Sequence, residues 1–183
     1  MCKDIDKGCQ QVLKAAVSSL AEHVFTDVLE HAELPMWSNQ WTKRKKADAV
    51  FSSKIRLTMR CVVHDCDCPI PLTDVNVSGL PCVDFAPSGL QRGIEGPTFE
   101  IILTWVHHHR TFKTLLMFFE NVPEFPVAMM EALLGDLYFL YWFYICPADA
   151  AFELLSRSRL VIYFVLRGLF AEIIYRLLIC VRL

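Results

Sequence analysis

The chain has 183 residues, 54% of them hydrophobic, with eight cysteines and a formal net charge of −2. That length suffices for one domain with a real core, and the charge excludes a chain whose bulk electrostatics attract nucleic acid; such affinity must come from local basic patches, a missing part or base contacts. The cysteines lack the spacing of a disulfide scaffold and no signal peptide opens the chain, so an intracellular, reducing setting is expected, the nucleus if the source is eukaryotic. Two apolar stretches, 132–147 and 160–183, are broken by Asp136 and by Arg167, Glu172, Arg176 and Arg182. Spanning needs roughly 18 or more apolar residues with few charges, so no membrane association is expected. Oligomeric state is left open.

Asp4-Ile5-Asp6-Lys7 precedes an amphipathic helix over 9–20, with Val12, Leu13, Ala16, Val17 and Leu20 on one face. His23 to Val28 predicts a short strand, with Asp27 near its end. The segment from Ala32 to Pro71 reads as an irregular insertion. Within it, Lys43-Arg44-Lys45-Lys46, behind Trp37 and Trp41, reads as a solvated basic loop. Cys61, His64, Cys66 and Cys68 place soft and borderline ligands close together. Cys-x-Cys with one nearby histidine is not a standard zinc pattern, and no metal is expected.

Thr73 to Val77 alternates polar and apolar residues and predicts the end of a strand. Gly79, Pro81, Pro87 and Gly89 then punctuate a loop that carries Cys82. In open α/β sheets ligands bind beyond the carboxyl ends of strands. On this stretch alone Cys82 is equally a small buried turn residue. A helix is predicted from Thr98 to about Arg110, with Phe99, Ile102 and Val106 on one side and His107-His108-His109 at the surface. Leu115 to Phe119 is a continuous apolar run, as expected of a fully buried parallel strand, and it ends in Glu120-Asn121-Val122. A carboxylate at one strand end thus follows a thiol at another. A helix over 127–134, an aromatic strand over 138–145 and an apolar strand over 160–166 complete the series.

Gly79-Leu80-Pro81-Cys82-Val83-Asp84-Phe85-Ala86, Glu120-Asn121-Val122 and Arg157-Ser158-Arg159 before an apolar strand together resemble, in order and spacing, three motifs of the DNA (cytosine-5)-methyltransferases. The resemblance implies an α/β fold, the Rossmann-like S-adenosylmethionine-dependent methyltransferase fold. It is incomplete here: the first strand with its Gly-rich loop and the target-recognition region are missing, so residues 1–183 would form part of a catalytic domain. It implies Cys82 as nucleophile on C6 of a flipped cytosine, Glu120 as the group that hydrogen-bonds the ring, and Arg157 and Arg159 as groups orienting the base. It implies S-adenosyl-L-methionine as cofactor, with Asp4 on the ribose hydroxyls, Ile5 on the adenine, Asp27 with Val28 at the adenine amine, and Pro81 in the same pocket. Glu100 resembles the acidic position on the helix beside the cofactor. The implied substrate is DNA, with tRNA as the second choice. The alternative is an inactive fragment of such an enzyme. Val83, Ala86 and Leu155 depart from the family pattern, where Gln, Ser and Gln stand.

Overall fold

A computed structural model of the chain describes residues 2–3, 8, 11, 22–34, 41–146 and 157–169. Asp4, Ile5, almost all of the predicted helix over 9–20 and the chain beyond Leu169 lie outside the described residues. Where length suggested one domain, the chain divides into two compact units: residues 1–72 with 100–111, and residues 73–99 with 112–183.

In the first unit, β1 (Cys2–Lys3) pairs in parallel with β2 (Val24–Phe25). β2 is antiparallel to β3 (Thr58–Cys61), and β3 to β4 (Cys66–Pro69). Met59 and Cys61 point inward and Thr58 and Arg60 outward, the alternation a half-buried strand requires. Phe25, Met59, Cys61, Cys68 and Ile70 form its core cluster. Asp65 adopts a left-handed φ of 53° in the β3–β4 turn and donates its N–H to Cys61 O at 2.9 Å. Aspartate tolerates that conformation better than most residues.

The segment 32–71 is therefore not irregular. It holds β3, β4 and helix α1 (Lys43–Ser52), with the Thr42 hydroxyl accepting from Lys45 N at 3.3 Å as the cap. The basic run is the first turn of α1 rather than a loop. Lys46 Nζ reaches Glu100 Oε1 at 2.5 Å, and Lys45 Nζ sits 4.2 Å from the Trp41 ring centre. The cap and the good helix formers in the run override its charge.

Helix α2 spans Thr98–Phe112. Residues 102–109 are all buried, so the three histidines are interior, not superficial. His107 Nε2 lies 3.0 Å from Ser53 O, and His108 Nδ1 lies 2.9 Å from His31 Nδ1. His109 stacks edge-on against Trp105. The helix is enclosed around its circumference, and each ring finds a polar or aromatic neighbour that one-sided amphipathicity could not reveal.

In the second unit a sheet runs β5-β6-β8-β7, from β5 (Val75–Gly79), β6 (Leu116–Asn121), β7 (Tyr138–Ile145) and β8 (Arg159–Leu166). β5 and β6 are parallel; β8 is antiparallel to both β6 and β7. Met117, Phe119, Leu160, Ile162, Phe164 and Tyr138 are buried. Helix α3 (Val127–Leu134) adds Met130 and Leu134, and its last turn closes with Gly135 N–H donating to Glu131 O at 2.8 Å. β6 is not buried on both faces as its apolar run suggested: Met117 and Phe119 are inside while Phe118 is 36% exposed. Its pleat sends alternate residues to opposite faces whatever their hydropathy. Among the described residues no helix is long and apolar enough to cross a membrane.

Candidate active site

The loop that carries Cys82 and the strand end that carries Glu120 lie at the same end of the second unit's sheet. β5 and β6 run in parallel with Gly79 directly opposite Glu120. Pro81 and Cys82 follow two and three residues later, so the loop leaves the sheet beside Glu120. The approach at 79 is close: a Cβ there would lie 3.2 Å from Glu120 Oε2, which would have to give by a few tenths of an ångström. Asn121 ties the two strand ends together. Its Nδ2 donates to Leu80 O at 3.2 Å and its Oδ1 accepts from Val122 N at 2.9 Å, with the side chain buried. Asn121 and Val122 thus fix where Glu120 stands.

Arg159 opens β8, next to β6 in the sheet. Its Nε lies 2.5 Å from Glu120 Oε1, with the two side chains 29% and 45% exposed. An ion pair this open adds little to stability; its consequence is orientation, one carboxylate oxygen held by the guanidinium and the other left to accept. Arg157 is exposed and precedes the strand by two residues, so strand alternation does not bring it to the Arg159 face. Leu155 lies outside the described residues.

The loop after Cys82 is wound tightly. Cys82 O accepts from Phe85 N at 2.9 Å and from Ala86 N at 2.8 Å; Val83 O accepts from Leu90 N at 2.7 Å. Phe85 packs on Phe125, which packs on Phe119, with 4.9 Å between ring centres at each step. Cys82 itself is half-buried. Its backbone holds the turn and its sulfur takes no part in doing so. Val83, the departure from Gln, is exposed.

A residue that the motif leaves unspecified anchors this loop. Asp84 is buried; its carboxylate accepts from Arg92 Nε at 2.8 Å and from Thr98 N, the first residue of α2, at 3.0 Å. Burial alone would raise its pKa. The Thr98 and Arg92 donors outweigh burial and hold it below the ordinary 3.8. Gly96 leaves the room: a Cβ there would lie 2.0 Å from the Asp84 Cγ.

Gly89 is equally constrained, since a Cβ would lie 2.1 Å from Val83 O. Gly89→Ala is therefore expected to lower stability by ~1–3 kcal/mol, the range for overpacking a closed site. Thermal unfolding and limited proteolysis of the 82–93 loop measure this; an unchanged midpoint and cleavage pattern would contradict it.

Of the residues expected at the cofactor, Asp27 and Val28 belong to the first unit. β2 stops at Phe25, so Asp27 is not in the strand but caps the 3-10 turn Val28–His31, its Oδ1 accepting from Leu29 N at 2.9 Å. The carboxylate is half-buried, with its other oxygen left to accept from an exocyclic amine such as that of adenine. Pro81 is exposed in the second unit, and Glu100 is paired with Lys46.

No protein-family model matches the chain. No curated protein matches it either. Solved structures do. The crystal structure of the S. pombe Dnmt2 methyltransferase superposes with a TM-score of 0.50 at 15% identity, over 90% of this chain and 41% of that one. The Entamoeba histolytica methyltransferase EhMeth gives a TM-score of 0.42 at 14% identity, over 90% of this chain and 52% of that one. The chain thus spans about half or less of either structure. Its mixed α/β fold is in part that of the S. pombe Dnmt2 methyltransferase structure.

Proposed function

We propose that residues 1–183 are part of the catalytic domain of an intracellular methyltransferase that places a methyl group on C5 of cytosine in DNA. The observation that carries this reading is the parallel register of Gly79 with Glu120, which sets the Pro81-Cys82 loop beside a carboxylate held by Arg159.

C5 of cytosine is a poor nucleophile, so a covalent step must precede methylation. The Cys82 thiolate adds to C6; the C5–C6 π pair moves into the ring and makes C5 nucleophilic. Glu120 accepts from the exocyclic amine and shares a proton with N3, which is protonated as the thiolate adds, and so stabilises the adduct. Arg159 keeps Glu120 oriented, and Arg157 stands at the exposed rim for a phosphate. S-adenosylmethionine, for which the resemblance offers Asp4, Ile5, Asp27, Val28 and Pro81, would supply an electrophilic methyl to C5 and leave as the thioether. Once C5 carries the methyl group, its proton leaves to water, the electron pair reforms C5–C6, and the Cys82 thiolate departs. Because C6 is unreachable in a stacked duplex, the base must first be flipped out.

The test uses DNA containing 5-fluorocytosine. Fluorine cannot leave C5 as a cation, so the elimination stops and the protein remains attached. A covalent complex that requires S-adenosylmethionine and maps to the Cys82 peptide is the expected result. A complex on tRNA but not on DNA would change the substrate. No complex on either, from the full-length protein, would leave the inactive-remnant reading in place.

A further inference from the structure

The β2–β3–β4 sheet of the first unit gathers four metal-ligating side chains that the methylation chemistry does not use. Cys61 ends β3, His64 lies in the following turn, Cys68 lies in β4, and His23 immediately precedes β2. Their ligand atoms all lie within 4.8 Å of one another. Cys61 Sγ is 3.5 Å from His64 Nδ1 and 3.8 Å from His23 Nδ1; Cys68 Sγ is 3.4 Å from His64 Nδ1. Zinc bonds of about 2.3 Å to sulfur and about 2.0 Å to nitrogen, at tetrahedral angles, put an S···N edge at about 3.5 Å. The two separations to His64 match that edge, and the one to His23, at 3.8 Å, is slightly longer.

We propose that His23, Cys61, His64 and Cys68 form a structural zinc site. Two thiolates and two imidazoles are a soft-to-borderline set that selects zinc over calcium or magnesium. Four protein ligands close the tetrahedron and leave no position for substrate, so the site is structural rather than catalytic. Its effect follows from the sheet: β2 has two residues, and only Phe25 pairs with β3, at Cys61. A metal held by His23 on one side and the hairpin on the other fastens that short strand where hydrogen bonds are few. The unit has a small core cluster, the situation in which a metal contributes most. The proposal stands apart from methyl transfer and would hold in an inactive chain.

Cys66 provides the internal control. It faces solvent opposite Cys61, with its sulfur 3.9 Å from that of Cys68, and it is not one of the four. The full chain, purified under reducing conditions, is expected to carry one zinc by elemental analysis. After chelation it should take up one cobalt(II), with thiolate charge-transfer bands and the ligand-field bands of a tetrahedral ion, and its thermal midpoint should fall when the metal is removed. Cys61→Ser and Cys68→Ser should lose the metal, Cys66→Ser should keep it, and His64→Cys, which exchanges one ligand for another, should keep it where His64→Ala does not. Absence of a tetrahedral cobalt spectrum in the unsubstituted chain would overturn the site even if every variant failed to fold. So would zinc retained by a Cys61→Ser/Cys68→Ser double variant, or lost equally from Cys66→Ser.

Discussion

Cys82→Ser is expected to leave no covalent complex with 5-fluorocytosine DNA and to reduce methyl transfer by roughly 10⁴-fold or more, the scale seen when a nucleophile is removed. The loss would be chemical, because the fold does not depend on the sulfur. The carbonyl of residue 82 organises the turn through Phe85 N and Ala86 N, and serine retains it. A free thiol is a few per cent thiolate near neutral pH; a hydroxyl is not ionised there at all. The thermal midpoint of Cys82→Ser should therefore stay close to that of the parent while the adduct disappears. Glu120→Gln should act differently. It keeps the size of the side chain but loses the charge that Arg159 holds, so the adduct should form slowly rather than not at all, by ~10²–10³-fold, as when one preorganised hydrogen-bonding group is lost. Persistence of the adduct in Cys82→Ser, or its mapping to another cysteine, would end the assignment of Cys82.

What could be read in the sequence divides along a physical line. Elements bounded by strong local signals were legible: Pro126 and Gly135 bracket α3, and the aromatic run 138–145 is β7 with those bounds. Strand ends were legible as well, because a Pro-Cys loop and a Glu-Asn-Val end are local features. Their register was not. That Gly79 lies opposite Glu120 depends on pairing across some 40 residues of intervening chain, and no local pattern specifies it. The same limit hid His23 from Cys61, 38 residues apart. It hid Asp84 too. A buried aspartate and a solvated one look alike in sequence, and its partners Arg92 and Thr98 lie 8 and 14 residues on. The segment 32–71 was misjudged for another reason. Its strands are four residues long and its helix is largely polar, so neither gives a periodic signal above that of a loop.

Asp84→Ala is expected to destabilise the second unit by ~3 kcal/mol, from hydrogen bonds to a charged group worth roughly 1.5–3 kcal/mol each, discounted because the Arg92 side chain is 44% exposed. That corresponds to a fall in midpoint of about 12–24 °C for a unit of this size. The buried Thr98 N–H would lose its acceptor, and the space against Gly96 would become a void, so the loop that presents Cys82 should loosen together with the start of α2. The pH dependence gives an independent check, and its sign is fixed. The carboxylate is the form that the fold binds, and its folded pKa lies below the ordinary 3.8. Between those two values the unfolded chain holds more protons than the folded one, so stability rises with pH there. The contribution of Asp84 is thus fully present above about pH 4 and is lost as pH falls through the folded pKa. The stability gap between the parent and Asp84→Asn should be constant from neutrality down to about pH 4 and shrink below it. A gap that instead widens on acidification, or an Asp84→Ala chain as stable as the parent, would show that the carboxylate does not anchor the loop. In that case the placement of Cys82 beside Glu120 would rest on Asn121 and the Phe85–Phe125–Phe119 stack alone.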